Sequence, residues 1–432
     1  MSEAVELERE FPAIGRKYFA IPTFDSTGIR KGDTSEVTYL CGNSLGLMPL
    51  GTRDRMRDEL NTWAAEGVMG HHIRFDGRDP WIENDVSVSK RLAEQIMGCN
   101  ASEVVLAGSL TSNLNGLLHA FYKPTADRYK IICESRSFPS DDYCFQNQVK
   151  LNGFSEDAVV AIEPREGEMV LRTEDIIDTI KKHGKETAIV CLSGVQFYTG
   201  QCFDIAAITK ATHDVGAISG WDLAHAAGNI ELKLHEWNVD FAVFCSYKYL
   251  NCGAGNTAGF FVHDDFAEKY ISKPRPAGWW GVDLSTRFDM EHEFVPAKGA
   301  RGFLQSNCSF AGPPCMHASL DVFEACGGLK ALIKRQKVLT AYTTRQLKAS
   351  KHYGKSFHIL TDILSEEESG AQISLFFNID LDKVADGLES AGIICDARKN
   401  NVVRITTAPL YNTFEDSEVF INTLEKVLDS LN

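Results

Sequence analysis

Short apolar runs alternate with helical patterns through the middle of the chain, and this alternation constrains the fold more than any other feature. Seven runs of three to five residues are predicted to be strands: Val104–Leu106, Ile131–Cys133, Val159–Ile162, Ile189–Leu192, Ala217–Trp221, Phe241–Cys245 and Gly259–Val262. The apolar residues from Leu114 to Phe121 instead recur at the i, i+3, i+4, i+7 spacing of a helix. Because short strands that are apolar throughout are typical of sheets buried on both faces, the pattern predicts an α/β fold with a mostly parallel sheet.

The last third of the chain has a different pattern of predicted helices and strands. Helices are predicted after Gly327-Gly328 and across Phe420–Leu431, with short strand candidates at Ile373–Ile379 and Val402–Ile405. This combination favours a smaller α+β domain. At ~150 residues per domain, 432 residues suffice for two or three domains. We divide the chain into an N-terminal arm at 1–50, a large domain at 51–312 and a small C-terminal domain at 313–432.

Composition excludes several broad classes of protein. The chain has 44 basic and 59 acidic side chains, and its net charge of −15 disfavours general binding to nucleic acid or to an anionic membrane surface. No apolar run approaches the ~18 residues of a membrane span. The acidic start is unlike a signal peptide. The 12 cysteines contain no C-x-x-C pair, and His71-His72 has no partner at ligand spacing, so we expect no disulfide scaffold, no metal and a cytoplasmic location.

An acid and a lysine stand at the ends of two successive predicted strands. The predicted strand Ala217–Trp221 ends in Asp222, within S-G-W-D-L-A-H, and Lys248 lies in S-Y-K-Y just after the next predicted strand. The carboxyl ends of parallel strands meet at one edge of a sheet, where ligands bind. A pyridoxal phosphate enzyme needs this pair, because the lysine amine holds the cofactor aldehyde as a Schiff base and the carboxylate keeps the pyridine nitrogen protonated. Backbone N–H groups at Ser109–Ser112, before the predicted helix, suit the phosphate.

Each of these residues also has a simpler reading. An aspartate at a strand end often caps a helix, a lone lysine is usually solvated, and His225 alone fits a structural histidine. The glycines between Gly253 and Gly259 are only loosely like a dinucleotide-binding loop, and we interpret them as a tight turn after Lys248. The joint arrangement is what favours the cofactor site.

A series of motifs then resembles one family. In chain order they are Cys41-Gly-Asn-Ser-Leu-Gly46, Ser137-Phe-Pro-Ser-Asp141, Ser193-Gly-Val-Gln, Trp221-Asp-Leu-Ala-His225, Ser246-Tyr-Lys-Tyr-Leu250 and Gly278-Trp-Trp-Gly281. Together they resemble kynureninases, pyridoxal phosphate hydrolases of fold type I, over nearly the whole chain. The resemblance implies hydrolytic Cβ–Cγ cleavage of L-kynurenine or 3-hydroxy-L-kynurenine to anthranilate or 3-hydroxyanthranilate plus L-alanine, in tryptophan catabolism and NAD biosynthesis.

The resemblance also implies a role for particular residues. Lys248, Tyr247 and Asp222 would be catalytic. The cofactor contacts would come from Leu110, Thr111, Phe138, Asp141, Ser193, Asp222, His225, Tyr247, Lys248, Trp279 and Asn307. The substrate contacts would come from His71, Ser306, Asn307 and Arg404. Arg404 would clamp the substrate carboxylate, a task suited to a forked guanidinium. A homodimer with shared sites is implied, in which Trp279, Ser306 and Asn307 reach across.

Two departures and two alternatives stay open. The stretch from Gly70 to Trp81 is longer than in the family, so either His71 or His72 could face the substrate, and Trp280 stands where phenylalanine is frequent. Another enzyme of the same fold is the first alternative, either an aminotransferase or a sulfur-removing lyase. The lyase would need a nucleophilic cysteine, for which Cys308 and Cys315 are candidates by position. The second is a binding protein that retains the fold without catalysis.

Overall fold

The large sheet has seven strands and carries the site. The computed structural model describes residues 2–361, 365 and 368–431. Within these residues, thirteen strands occur in three sheets: β1 Thr38–Tyr39, β2 Val104–Leu106, β3 Lys130–Glu134, β4 Val159–Ile162, β5 Thr187–Ser193, β6 Ile218–Asp222, β7 Phe241–Phe244, β8 Gly259–Val262, β9 Phe357–Ile359, β10 Gln372–Phe377, β11 Ile393–Ile394, β12 Asp396–Arg398 and β13 Val402–Thr406. The large sheet has the order β2-β8-β7-β6-β5-β3-β4.

Five neighbouring strands of this sheet, from β7 to β4, run parallel, and β8 is antiparallel to both of its neighbours. The predicted mostly parallel α/β sheet is therefore confirmed. The seven predicted strands all form, and their ends shift by at most two residues.

Helices cover both faces of this sheet. Across the described residues the helices are α1 Glu3–Glu10, α2 Gly51–Glu66, α3 Val86–Leu92, α4 Leu110–Phe121, α5 Pro139–Leu151, α6 Thr173–His183, α7 Ile205–Asp214, α8 Asp264–Lys269, α9 Gly312–Ala325, α10 Gly328–Ala349, α11 Leu381–Ser390 and α12 Phe414–Leu431. Alternate strand residues enter different cores: Ile132 and Val190 face one, whereas Ile131 and Ile189 face the other. Burial on both faces explains why these strands are apolar throughout. Among the described helices, none has both the length and the apolar character that crossing a bilayer requires.

The C-terminal residues build a separate antiparallel sheet in the order β12-β13-β10-β9, packed by α11 and α12. The predicted smaller α+β domain is thereby confirmed as a type of structure. Met316 and Phe323 of α9 lie in the core of the large sheet, together with Leu92 of α3. The division at 312 and 313 therefore stays a prediction.

The N-terminal arm connects the two sheets. Its strand β1 pairs in parallel with β11 of the C-terminal region. The backbone of Leu40 also accepts a hydrogen bond from the Thr406 N–H at 2.8 Å. Residues 41–46 then continue to the carboxyl edge of the large sheet, where the Gly46 N–H donates to the Tyr247 carbonyl at 2.8 Å.

Candidate active site

Polar residues end three adjacent parallel strands at the same edge of the sheet. Glu134 is the last residue of β3, Ser193 of β5 and Asp222 of β6. Ser193 lies directly beside Asp222 in the sheet register. Lys248 follows β7 by four residues. The structure therefore brings the predicted acid and lysine to one edge, as the alternating pattern implied.

Three buried carboxyl groups gather beneath this edge. Asp222 is 6% exposed, and its Oδ1 accepts the Ala224 N–H at 2.7 Å. Asp141, in the first turn of α5, is 5% exposed, and burial together with the neighbouring Asp222 charge raises its pKa well above the usual value. The third group is Glu134, which the sequence analysis did not identify. It is 3% exposed, and burial raises its pKa to about 7. Its position at the end of a predicted strand is the signal that could have found it.

Lys248 lies over an aromatic platform. Its Nζ is 5.8 Å from the ring centroid of Phe138 and 5.9 Å from that of Tyr247. Phe138 meets Phe197 edge to face, with centroids 5.1 Å apart. Burial raises the pKa of Tyr247 to about 12, so this phenol keeps its proton at neutral pH. A flat ligand between Phe138 and the strand ends would therefore meet an amine from the lysine loop.

The Gly46 motif packs against the backbone of the lysine loop. A Cβ at Gly46 would collide with the Lys248 carbonyl oxygen and with the Asn251 side chain, whose Cγ would be 2.9 Å away. Asn251 is itself buried and adopts a positive φ of 56°. The close approach explains the glycine and shows that the arm fixes the path of residues 247–251.

Replacing Gly46 with alanine is expected to lower the free energy of unfolding by about 1–3 kcal/mol, the usual cost of overpacking. The displaced loop should also reduce the fraction of protein that retains cofactor. Urea titration and the cofactor absorbance measure the two effects. Gly51→Ala is the matched control, because its Cβ would meet only the Ala318 Cβ, at 4.0 Å. Equal stability of the Gly46→Ala and control variants would contradict the packing argument.

The start of α4 offers free backbone donors. Ser109 caps the helix, and its side chain accepts the Ser112 N–H at 3.3 Å. Leu110 and Thr111 occupy the first helical positions, where backbone N–H groups have no partner within the helix. A helix start of this kind binds phosphate well, so the predicted phosphate loop has suitable geometry.

His225 is buried beside the cations of the site. It is 5% exposed, and burial lowers its pKa well below the usual value, with further lowering by the charges of Lys248 and Arg404. The ring is therefore neutral. Its Nδ1 is buried and has no hydrogen-bond partner within the described residues. A buried ring nitrogen in this state is a position where a ligand group can bind.

Arg404 lies on β13 and faces the same region from the small domain. It is 1% exposed, and its Nη1 donates to the Phe197 carbonyl at 2.5 Å. Its Nη2 forms an ion pair with Asp396, which is its partner in the β12–β13 register. Burial lowers the pKa of Arg404 to about 10, so the guanidinium remains charged at neutral pH. The sequence analysis missed Asp396, because strand pairing between two short segments has no local signature.

The remaining predicted residues belong to an aromatic cluster around Trp81. Successive rings meet edge to face, with centroids 5.4–6.3 Å apart, in the order Trp81, His71, His72, Phe288 and Trp279. His71 contacts Trp81, whereas His72 contacts Phe288. The alternative between His71 and His72 therefore stays open, since both histidines are exposed within this cluster.

Asn307 joins the same cluster, because its Nδ2 donates to the Trp81 carbonyl at 3.3 Å. Ser306 beside it is exposed, and Trp279 is 44% exposed. Trp280 differs from its neighbour: it is 8% exposed, and the Arg287 guanidinium covers its ring at 4.7 Å. Trp280 therefore packs into the interior instead of lining an open rim.

A buried ionic network supports the long segment from Gly70 to Trp81. The Glu59 carboxylate accepts hydrogen bonds from Arg74 at 3.2 Å and from the Trp81 indole at 2.9 Å. Both charged residues are buried, with exposures of 7% for Glu59 and 8% for Arg74. Charges buried in this way are stable only when paired, so the network fixes the segment that carries His71.

One cluster of side chains, remote from this edge of the sheet, consists of residue types that can bind a metal ion. Candidate ligand atoms of Glu103, His235 and His263 all lie within 4.8 Å of one another. However, the Asp264 N–H donates to Glu103 Oε1 at 2.9 Å, and the Asp265 N–H donates to His263 Nδ1 at 3.2 Å. Two of the three atoms therefore already hold the start of α8.

The two candidate nucleophilic cysteines are buried thiols. Cys308 is 7% exposed, and burial raises its pKa to about 12. Cys315 lies within α9 at 6% exposure, and burial raises its pKa also. A cysteine nucleophile needs an accessible thiolate, so neither residue has the environment that a sulfur-removing lyase requires.

The residues at this edge suit pyridoxal phosphate. Within the part of the chain that the structure describes, no ion pair is formed by the buried acids Asp222, Asp141 and Glu134, and a protonated pyridine nitrogen would supply the cation; the start of α4 supplies donors for a phosphate. Phe138 offers a ring face, and Lys248 offers an amine beside it. These features belong to one connected edge of the sheet, so the donor set fits the cofactor.

Solved structures with the same fold include a cystine C–S lyase and a cysteine desulfurase. A cystine C–S lyase, solved with its product cysteine persulfide, has a TM-score of 0.76 at 15% identity, over 90% of this chain and 97% of its own. A variant of that enzyme carries glycine covalently linked to its PLP cofactor. The apo cysteine desulfurase from Thermococcus onnurineus NA1 has a TM-score of 0.76 at 18% identity, over 97% and 98% of the two chains. The fold is thus that of the fold type I pyridoxal phosphate enzymes.

Sequence comparison gives the particular family. Kynureninase of Saccharomyces cerevisiae is 47% identical over 455 residues, covering 100% of both chains. Kynureninase of Mus musculus is 42% identical over 420 residues, covering 95% of this chain and 88% of the mouse protein. A family model of the kynureninase C-terminal domain matches residues 332–424. The chain belongs to the kynureninase family, which confirms the resemblance seen in the motifs.

Proposed function

We propose that this protein is a pyridoxal phosphate-dependent hydrolase that cleaves the Cβ–Cγ bond of L-kynurenine or 3-hydroxy-L-kynurenine. The products are anthranilate or 3-hydroxyanthranilate and L-alanine, which places the reaction in tryptophan catabolism and NAD biosynthesis. The observation that carries the proposal is the meeting of Lys248, Asp222 and the α4 start at one sheet edge. The identity to full-length kynureninases supports the choice of reaction.

Lys248 and Asp222 supply the central chemistry of the chain itself. The bound cofactor provides an electron sink for the carbanion formed at the substrate Cα. The Lys248 amine would hold the cofactor through its aldehyde, and the same amine is suited to remove and return the Cα proton of the substrate. Asp222, whose Oδ1 accepts the Ala224 N–H at 2.7 Å, is the acid that would pair with the ring nitrogen of the bound cofactor.

Tyr247 and His225 complete the surroundings of the lysine. Since the Tyr247 phenol retains its proton, it is suited to donate to the cofactor phosphate or to relay a proton. Neutral His225 contributes a hydrogen-bonding ring nitrogen without adding a charge beside Lys248. Phe138 would stack on the cofactor ring, while Leu110 and Thr111 would hold the phosphate.

Arg404 binds the substrate α-carboxylate. Its side chain is charged, buried and held from two sides by the Phe197 carbonyl and Asp396. Its Nε has no hydrogen-bond partner within the described residues. That N–H is therefore the donor left for a ligand, and a buried guanidinium binds a carboxylate strongly.

The aromatic cluster around Trp81, with Ser306 and Asn307 beside it, binds the aromatic end of a substrate that is held in the site of the partner subunit. Trp279, Ser306 and Asn307 contact or adjoin the Trp81 cluster within their own chain, and large apolar side chains nearby are exposed: Trp63 at 60%, Val68 at 71% and Phe75 at 74%. An exposed apolar patch of this kind marks an interface. We infer a homodimer in which each site combines Lys248 of one chain with Asn307 of the other.

Subunit hybrids test the shared site. Lys248→Ala and Asn307→Ala proteins, each inactive alone, should regain part of the activity when unfolded and refolded together, because some hybrids then hold one intact site. No regained activity in mixtures shown to contain hybrid dimers would contradict shared sites. A monomer that is fully active at high dilution would contradict the dimer itself.

A separate observation supports the proposed cytoplasmic location. All 12 cysteines are free thiols. The eight cysteines from Cys99 to Cys308 lie buried or half-buried within residues 51–312. Proteins in oxidising compartments usually pair such residues. This supports a cytoplasmic location.

Turnover of both candidate substrates tests the proposed reaction. The protein loaded with pyridoxal phosphate should release an anthranilate and L-alanine in equal amounts from at least one of them. The ratio of the two kcat/KM values then gives the preference, which a single pocket hydrogen bond can shift tenfold or more. Sulfide release from cysteine, without anthranilate from either substrate, would instead assign the chain to the sulfur-removing lyases.

A further inference from the structure

Glu134 is a buried acid at the cofactor edge that the reaction described above does not use. Its Oε1 accepts the Ser193 hydroxyl at 2.5 Å, and both carboxylate oxygens lie 3.3 Å from the Ser193 N–H. Its backbone carbonyl accepts the Ser137 hydroxyl at 2.8 Å, at the start of the loop that carries Phe138. Glu134 therefore connects the end of β5 to the loop beneath the cofactor ring.

We propose that Glu134 is a positioning residue of the cofactor site: it fixes Ser193, and it gives up a proton when a cationic ring nitrogen binds beside Asp222. The inference rests on the proposed cofactor site. Glu134 contacts Ser193 directly. Glu134 does not touch the cofactor ring and acts on it only through the charge of Asp222.

The charges around Glu134 explain why its proton is exchangeable. Acids face it from two neighbouring elements, Asp141 from α5 and Asp222 from β6, and the thiols of Cys133 and Cys191 are close by. Burial and the Asp222 charge raise the pKa of Glu134 to about 7, whereas the Ser193 hydrogen bonds oppose the rise. Before the cofactor binds, the carboxyl group is therefore about half protonated at pH 7.

Binding of a cation reverses this balance. A positive charge beside Asp222 favours the ionised form of every nearby carboxyl group, so the pKa of Glu134 falls. A group whose pKa falls on binding releases a proton at pH values between its two pKa values. At pH 7 we expect Glu134 to release up to about half a proton per site, and at pH 9 none, because it is already ionised.

Calorimetry of pyridoxal phosphate binding to the apoprotein tests the proposal, in buffers that differ in their enthalpy of protonation. The number of protons released at pH 7 should be smaller in Glu134→Gln than in the wild type, and the two numbers should agree at pH 9. The affinity should fall about tenfold or less, as expected for one altered hydrogen bond to a polar group. Glu163→Gln is the matched control, since Glu163 follows the adjacent β4 and is exposed.

Ser193→Ala probes the same contact from the other side. Losing the hydroxyl that stabilises the carboxylate should raise the pKa of Glu134 further, so proton release should move to higher pH. This variant decides the matter if Glu134→Gln does not fold. Equal proton numbers at pH 7 in the wild type and Glu134→Gln, or an unchanged pH dependence in Ser193→Ala, would overturn the inference. Failure of the wild type to bind pyridoxal phosphate would instead overturn the proposed function.

Discussion

Replacing Lys248 with alanine is expected to abolish turnover, with kcat lower by at least about 10³-fold, since one residue supplies both the covalent attachment and the proton transfer. The absorbance of the amine-linked cofactor should vanish as well, and borohydride should no longer fix the cofactor to the protein. Stopped assays with both substrates and a mass spectrum after reduction measure the two effects. The fold should persist, because Lys248 is half-buried and lies over rings instead of within a core.

The exposed Lys182 on α6 is the control for this experiment. Lys182→Ala should keep the absorbance, the reduced adduct and the turnover of the wild type. A Lys248→Ala protein that still turned over at a rate near the wild type would remove this residue from the reaction, whatever its effect on cofactor absorbance.

Replacing Arg404 with lysine is expected to raise KM by about tenfold to a hundredfold, with a smaller effect on kcat, because a charge-assisted hydrogen bond contributes about 1.5–3 kcal/mol. The guanidinium serves the Phe197 carbonyl and Asp396 at once and leaves Nε for the substrate. An ammonium is a single point and cannot repeat this arrangement. Steady-state kinetics with kynurenine measure the change.

Arg398→Lys is the matched control, since Arg398 pairs with the same Asp396 at 3.0 Å and its side chain is 39% exposed. Exposed pairs contribute little, so its kinetics should stay close to those of the wild type. Unchanged KM and kcat in Arg404→Lys would remove Arg404 from the carboxylate site.

Much of the large sheet could be predicted, because burial on both faces makes each strand a continuous apolar run. The same logic places Asp222 and Lys248 at one edge, since parallel strands end together. Contacts between residues that lie far apart in the sequence could not be predicted in this way. Asp396 meets Arg404 only because β12 and β13 pair in one register, and Glu134 becomes notable only when Ser193 is placed beside it.

The motif around Gly46 also has a structural role that could not be predicted from the sequence. Its residues were recognisable as part of a family pattern, but their purpose depends on a collision that only the folded chain reveals. A Cβ at Gly46 would meet the backbone of a loop about two hundred positions later. The glycine is thus required by the short distance between two segments of the folded chain, and no local sequence pattern encodes that distance.

The arm between the two sheets also determines the order in which the site can be completed. Residues 38–46 are synthesised before the strands of the large sheet, whereas their partners in β11 and at Thr406 are synthesised after them. The contact between Gly46 and Tyr247 is thus anchored by pairings of very long sequence separation, which form slowly. A nascent chain can assemble the seven-stranded sheet from residues 104–262, but its lysine loop receives its full support only after residues 393–406 have also been synthesised.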